Sequence, residues 1–288
     1  MRVAAASFDM VPAPSFDAYA ARIERWVARA EADLIVFPEY GAMELAAIDG
    51  AAGDLAASIQ AVAGWRAAAD ALHRDLAQRY GAHILAASGP ELHAGAPVNR
   101  ARFYAPTGAA GHQDKQIMTR FERELWGIGP GDPLTVFDTA LGTIAVLICY
   151  DAEFPLLARA AVEAGAELIL VPSCTDTLQG YNRVRLSCAA RALEGQCIVV
   201  QSATVGDCDW CPAVDENRGA AAIFAPPDGP FPDTGVIAQG ALDAPGWVRA
   251  EVDLAQLAEV REGGAQLNFQ HWSEQTGRVT QLHRCSLR

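Results

Sequence analysis

Ala32-Asp33-Leu34-Ile35-Val36-Phe37-Pro38-Glu39 has an echo further along the chain, Ala166-Glu167-Leu168-Ile169-Leu170-Val171-Pro172-Ser173. Each is a short apolar run stopped by proline and followed by a polar residue. Such a run reads as a strand buried on both faces. A half-exposed strand would alternate apolar with polar, and a helix needs roughly ten or more residues. Each run follows a stretch with helical spacing: residues 15–31 before the first, with Tyr19, Ile23, Trp26 and Val27 three or four apart, and residues 155–164 before the second. The echo supports two readings. It is a doubled helix–strand scaffold, or it marks two strand ends at a groove of the kind where α/β proteins seat ligands.

Outward from these runs the same alternation fills the chain. Helical spacing recurs over 54–80, 180–194 and 254–262. Strand-like runs fall at 83–87, 100–104, 134–138, 143–148, 167–171, 197–202, 220–224 and 247–252. Pro106-Thr107-Gly108 and Ala140-Leu141-Gly142 are tight turns, which join antiparallel neighbours, whereas helices between strands make parallel crossovers. The mixture predicts a layered α/β fold with mixed sheets. No low-complexity linker or charge run divides the sequence, so residues 1–288 read as one domain.

Composition narrows the function. Of 288 residues 51% are hydrophobic and 20% charged, the balance of a folded chain rather than a disordered one. A net charge of −13 without any Lys/Arg run argues against nucleic acid as a partner, since phosphates call for a basic face. No stretch approaches the roughly 20 apolar residues of a membrane helix. Asp9 and Pro12 interrupt the N-terminal apolar run, so it lacks the core of a signal peptide. Seven scattered cysteines, an odd count, read as free thiols and predict a cytoplasmic location.

The common catalytic and phosphate-binding motifs are missing: no G-x-S-x-G, no G-x-x-x-x-G-K-[ST], no H-E-x-x-H. Gly127-Ile128-Gly129-Pro130-Gly131 lacks dinucleotide-binding spacing and reads as a loop. His73, His83, His93 and His112 are dispersed and read as surface or packing residues. Cys208-Asp209-Trp210-Cys211 is a lone C-x-x-C; zinc would need distant ligands, so it reads as a loop with two thiols.

Three residues stand out by position. Cys149 ends the apolar run 143–148 and precedes Tyr150-Asp151-Ala152-Glu153-Phe154-Pro155 and a helix. It is either a core thiol or a nucleophile held at a strand-to-helix turn. Glu39 follows a strand, as a turn residue or as a base poised by partial burial. Lys115 sits in His112-Gln113-Asp114-Lys115-Gln116-Ile117 and by itself reads as a surface group.

Together, Phe37-Pro38-Glu39, then Asp114-Lys115, then Ile148-Cys149-Tyr150-Asp151, resemble the nitrilase superfamily of carbon–nitrogen hydrolases. The resemblance extends over most of the chain. It takes in Pro106-Thr107-Gly108, Pro130-Gly131-Asp132, Phe154-Pro155, Val171-Pro172-Ser173, Arg191-Ala192-Leu193-Glu194-Gly195-Gln196, Ala225-Pro226-Pro227-Asp228-Gly229 and Ala250-Glu251-Val252-Asp253. It implies a four-layer α-β-β-α sandwich that pairs into an αββα–αββα homodimer. It also implies a Glu–Lys–Cys triad with Glu39 as general base, Cys149 as nucleophile and Lys115 as stabiliser of the tetrahedral intermediate, aided by the Tyr150 backbone N–H. A second glutamate precedes the Pro-Gly turn in many members. Glu122 and Glu124 both qualify, and counting back from Gly131 favours Glu124. The implied reaction is hydrolysis of a small amide through a Cys acyl-enzyme, with no metal or organic cofactor. The same residues would serve an N-carbamoyl hydrolase, an acyltransferase, or a non-catalytic relative that binds a ligand.

The chain departs from the common family pattern in places. Glu153 stands where many members have Arg four residues after the cysteine. The segment Gly180-Tyr181-Asn182-Arg183-Val184 is also unusual, and so is the C-terminal part, where residues 254–288 read as an extension at an interface. Glu153, Ser173 and Thr175 are the candidate substrate contacts. Arg191 and Glu194 read as a brace for their helix at a subunit contact.

Overall fold

Both echoed runs are strands of one large mixed sheet in the protein, whose computed structural model describes residues 1–280 and 282–288. The strands are β1 (Arg2–Asp9), β2 (Leu34–Val36), β3 (His83–Leu85), β4 (Gly89–His93), β5 (Ala96–Tyr104), β6 (Ala110–Asp114) and β7 (Val136–Thr139). They continue with β8 (Gly142–Val146), β9 (Leu168–Ser173), β10 (Ile198–Val205), β11 (Ala222–Phe224), β12 (Val236–Gln239) and β13 (Gly246–Glu251). The longer helices are α1 (Phe16–Ala30), α2 (Leu55–Tyr80), α3 (Pro155–Glu163), α4 (Leu178–Gly195) and α5 (Leu254–Gly263). Side-chain oxygens start four of them: Ser15 accepts the Ala18 amide, Asp54 that of Ala57, Thr177 that of Gly180 and Asp253 that of Ala255.

The main path of the sheet runs β4-β5-β3-β2-β1-β10-β9-β8-β7. Its centre, β3-β2-β1-β10-β9-β8, is parallel, and its ends are antiparallel. Both predicted tight turns close antiparallel pairs, β5–β6 and β7–β8. Strand β1 lies at the centre and pairs with β2, β10 and β13. Its run Ala4-Ala5-Ala6 has low strand propensity, and packing overrides it.

The sheet curls so that its two halves face each other. Ile35 belongs to the apolar cluster under α1 and α2, with Tyr19, Ile23, Val27 and Leu76. Its neighbours Leu34 and Val36 point the other way, into the cluster that holds Ile144, Val146 and Leu168 of the opposite half. Phe103 of β5 and Phe137 of β7 meet edge to face at 5.5 Å across that interior, although their strands stand far apart along the path. Helices α3 and α4 cover the outer face of the second half with Val162, Val184 and Cys188. The layers are therefore α-β-β-α. Each fully buried aliphatic side chain contributes roughly 1.5–3 kcal/mol to holding them together.

The C-terminal part packs on its own chain as far as Trp272. Leu257 and Val260 of α5 are buried, the Gln196 side chain bonds the backbone of Gln266 and Phe269, and the Arg159 guanidinium lies 4.5 Å from the Trp272 ring centre. Among the described residues, no helix is long and apolar enough to cross a membrane.

Candidate active site

The strand ends converge on a buried ammonium. Lys115 follows β6, and its Nζ donates to Glu39 Oε1 and to Glu122 Oε2, both at 2.7 Å. Glu39 sits just past β2, where Pro38 stops the strand. Its Oε1 also accepts from Asn99 Nδ2 at 2.9 Å, and its Oε2 from the Cys174 backbone amide at 3.0 Å. Glu122 opens a single π-helical turn, Glu122–Trp126. Its carboxylate accepts from the Tyr40 hydroxyl at 2.6 Å and from both the amide and hydroxyl of Thr119 at 2.8 Å. All three charged side chains are buried, so each oxygen needs these donors to offset lost hydration.

Cys149 begins a tight 3-10 turn, Cys149–Glu153, and does so at φ +51°. A side chain in the left-handed region is strained, and such strain persists where surrounding contacts enforce it. Here Asp151 enforces it. Its buried carboxylate accepts the amides of Gln116, Ile117 and Ile148, so it ties the segment after Lys115 to the strand end before Cys149. Arg191 adds a second anchor by donating to the Ala152 carbonyl at 3.2 Å. The Cys149 thiol lies against the Glu39 carboxyl and 3.6 Å from the Cys174 carbonyl. The Tyr150 amide belongs to the open N-terminal end of the turn, where N–H groups lack partners within the turn.

The charges shift one another. Burial, reinforced by Glu122, pushes Glu39 up to about 7 against the pull of Lys115. Burial also raises the Cys149 thiol well above its ordinary value, so it rests protonated. Burial alone would lower Lys115, but the two carboxylates outweigh it and hold the ammonium charged. Glu122 stays below its ordinary value, because Lys115 and its hydrogen bonds overcome burial. A thiol that keeps its proton therefore stands beside a carboxylate that titrates near neutrality.

A cleft of about 550 Å³ opens above Cys149 and Cys174. Tyr150, Glu153 and Thr175 line it, as do Arg183 of α4 and the loop Pro212–Glu216. The expected supporting residue Glu124 is elsewhere. It is half exposed and paired with Arg120, and Glu122 makes the lysine contact instead. Ser173 does not face the cleft either: it is buried, and its hydroxyl donates to the Ser202 carbonyl at 2.6 Å. Thr175 lines the cleft, but its hydroxyl is committed to the Arg218 carbonyl. Arg191 and Glu194 pair with each other, and Arg191 reaches the nucleophile turn. Cys208 and Cys211 are buried free thiols in the loop behind the cleft wall. Asn99, Tyr40, Thr119 and Asp151 were not singled out from the sequence; of these only Asp151 carried a signal, two residues past the cysteine.

Among the described residues, one other cluster has ligand-bearing side chains, His93, Asp114 and Asp132. The Arg100 guanidinium already neutralises it, at 2.6 Å from Asp114 and 3.2 Å from Asp132, so it is an ion-pair network rather than a cation site.

With fold and site in view, the chain belongs to the carbon–nitrogen hydrolase family, whose profile matches residues 2–262. It is 35% identical over 268 residues to a probable hydrolase, YhcX, of Bacillus subtilis, covering 92% of this chain and 52% of that protein. It is 32% identical over 145 residues to a deaminated glutathione amidase of Yersinia enterocolitica, covering 46% and 51%. The chain thus spans about half the length of these two relatives. A carbon–nitrogen hydrolase from Helicobacter pylori has the same fold, with a TM-score of 0.77 at 17% identity over 98% of both chains. So does a mutant amidase from Nesterenkonia that carries the acetamide moiety of fluoroacetamide on its active-site cysteine. There the TM-score is 0.70 at 20% identity, over 98% of this chain and 97% of that one.

Proposed function

We propose that the protein hydrolyses the carbon–nitrogen bond of a small amide through a thioester on Cys149. The observation that carries this reading is the Lys115 ammonium shared by Glu39 and Glu122 beside a protonated thiol in a strained turn. Glu39 takes the thiol proton as sulfur attacks the carbonyl carbon. The carbonyl electrons move to oxygen, where the free proton of Lys115 and the Tyr150 N–H hold the oxyanion. A single donor of this kind is worth on the order of 10²–10³ in rate. Collapse breaks the C–N bond, and Glu39 returns the proton to the departing amine. Water, deprotonated by Glu39, then attacks the thioester, breaks the C–S bond and restores the thiol.

The names of an amidase relative and an amidase of like fold support an amide substrate. The test is ammonia release from simple aliphatic amides, together with intact-mass analysis after fluoroacetamide. The wild type should release ammonia and gain one acetamide moiety on Cys149, and folded Cys149→Ala should do neither. Unchanged turnover by Cys149→Ala would falsify the mechanism.

A further inference from the structure

We propose that the cleft accepts amides bearing a cationic group, an amine or a guanidine, and discriminates against those ending in a carboxylate. The inference rests on the amide reading above. Ionisable groups lining the cleft are Arg120, Arg183, Glu153, Asp176, Asp215 and Glu216. Arg120 is largely exposed and already held by Glu124 at 2.9 Å. Of the two lining arginines, only Arg183 pairs within the cleft, with Glu153, and three more acids line the same cleft. Beneath them Lys115 already serves two glutamates and keeps its third proton for the oxyanion, which leaves none for a substrate carboxylate.

Glu153 is the acid placed to read the substrate. Asp176, Asp215 and Glu216 are exposed, where salt and water screen them. Glu153 is more sheltered, its side chain 19% exposed against 60% for its partner Arg183. The two meet through a single contact, Arg183 Nε to Glu153 Oε1 at 3.3 Å, which leaves Oε2 free to accept from a ligand. Glu153 also closes the same tight turn that Cys149 opens. Four residues of 3-10 geometry advance about 8 Å along the turn axis, the length scale of a short aliphatic amide, and both side chains line the same cleft. An ammonium at its far end meets an opposite charge, and a carboxylate there meets a like one. At about 7 Å and an effective dielectric near 20, screening included, the discrimination is on the order of tenfold or more.

The experiment compares pentanamide, its ω-amino analogue and the monoamide of glutaric acid. Each is measured as kcat/KM by ammonia release at low salt and as binding to Cys149→Ala by calorimetry. The ω-amino amide should exceed the glutaric monoamide by about tenfold or more, and the ratio should shrink as salt rises. Glu153→Gln should collapse that ratio toward one, whereas Glu163→Gln, the same charge change on the outer side of α3, should leave it as in the wild type. A wild-type ratio of one or less, or an unaltered ratio in Glu153→Gln, overturns the proposal. The binding arm separates the two readings. Tighter binding of the ω-amino amide without turnover of any amide upholds the charge preference and rejects hydrolysis. Turnover of pentanamide with the glutaric monoamide preferred does the reverse.

Discussion

Asp151 receives the Ile117 amide at 2.8 Å and so fastens the segment carrying Lys115 to the turn carrying Cys149. Two further amides converge on the same carboxylate, from Gln116 and Ile148. Asp151→Asn would set an NH₂ group against donors that need an acceptor. Each buried donor left unmade costs about 1–3 kcal/mol. The variant should lose about 2–4 kcal/mol in urea unfolding and at least about tenfold in kcat/KM. A variant with wild-type stability would mean that these amides find other acceptors.

Glu39 should govern the acid side of the pH profile. As a base it works only when ionised, and burial raises it to about 7, so kcat/KM should fall below that pH with a slope of one proton. Stability carries the same shift with a definite sign. The folded value lies above the ordinary 4.5, so its contribution is fully present below pH 4.5 and is lost as pH rises through about 7. Thermal melts of Glu39→Gln should therefore gain on the wild type between acid and neutral pH. A wild type that instead gains on Glu39→Gln as pH rises over that range would reverse the sign assigned here.

The two candidate glutamates should part sharply. Glu122→Gln removes one of the charges that hold the Lys115 ammonium and should lower kcat by orders of magnitude. Glu124→Gln breaks only an exposed pair with Arg120 and should stay within about twofold, as surface pairs are worth about 0–1 kcal/mol. Steady-state rates for the two purified variants decide between them.

Self-association should run through the outer faces of α3 and α4. Leu156, Leu186 and Leu193 there are 77%, 62% and 43% exposed, an apolar group on helices otherwise suited to water. The wild type should sediment as at least a dimer, and Leu186→Glu should shift it toward monomer. A wild-type species at the 30.5 kDa chain mass at micromolar concentration removes this expectation.

The fold was largely legible because apolar runs and helical spacing report burial directly. Leu34, Ile35 and Val36 are a continuous run because the sheet buries both of their faces. Strand β1 was not legible, since Ala4-Ala5-Ala6 suits a helix as well as a strand and only its neighbours decide. In the site, Glu39 and Cys149 stand after strands with two readings each, Lys115 by itself reads as a surface group, and only the family resemblance joins the three, which lie together. The choice between Glu122 and Glu124 depends on a π-helical turn, whose extra residue per turn changes which side chain faces inward and leaves no trace in residue counting. Asn99 lies within β5, where a polar residue reads as solvent-facing, yet it reaches Glu39. Ser173 was misjudged because at the end of β9 its side chain turns to Ser202 instead of the cleft.

The central strand also dictates a timetable for the newborn chain. Arg2 to Ser7 of β1 pair with Glu251 to Gly246 of β13, residues made roughly 240–250 positions later. Its other partners, β2 and β10, arrive early and late. During synthesis β1 can dock on β2 at once, yet it must wait with bare N–H and C=O groups until β13 has left the ribosome. Contacts so distant in sequence make folding slow, on the scale of milliseconds to seconds. For that interval the exposed edge is open to wrong partners, and chaperone dependence in the cell should track the release of β13 more closely than that of any catalytic segment.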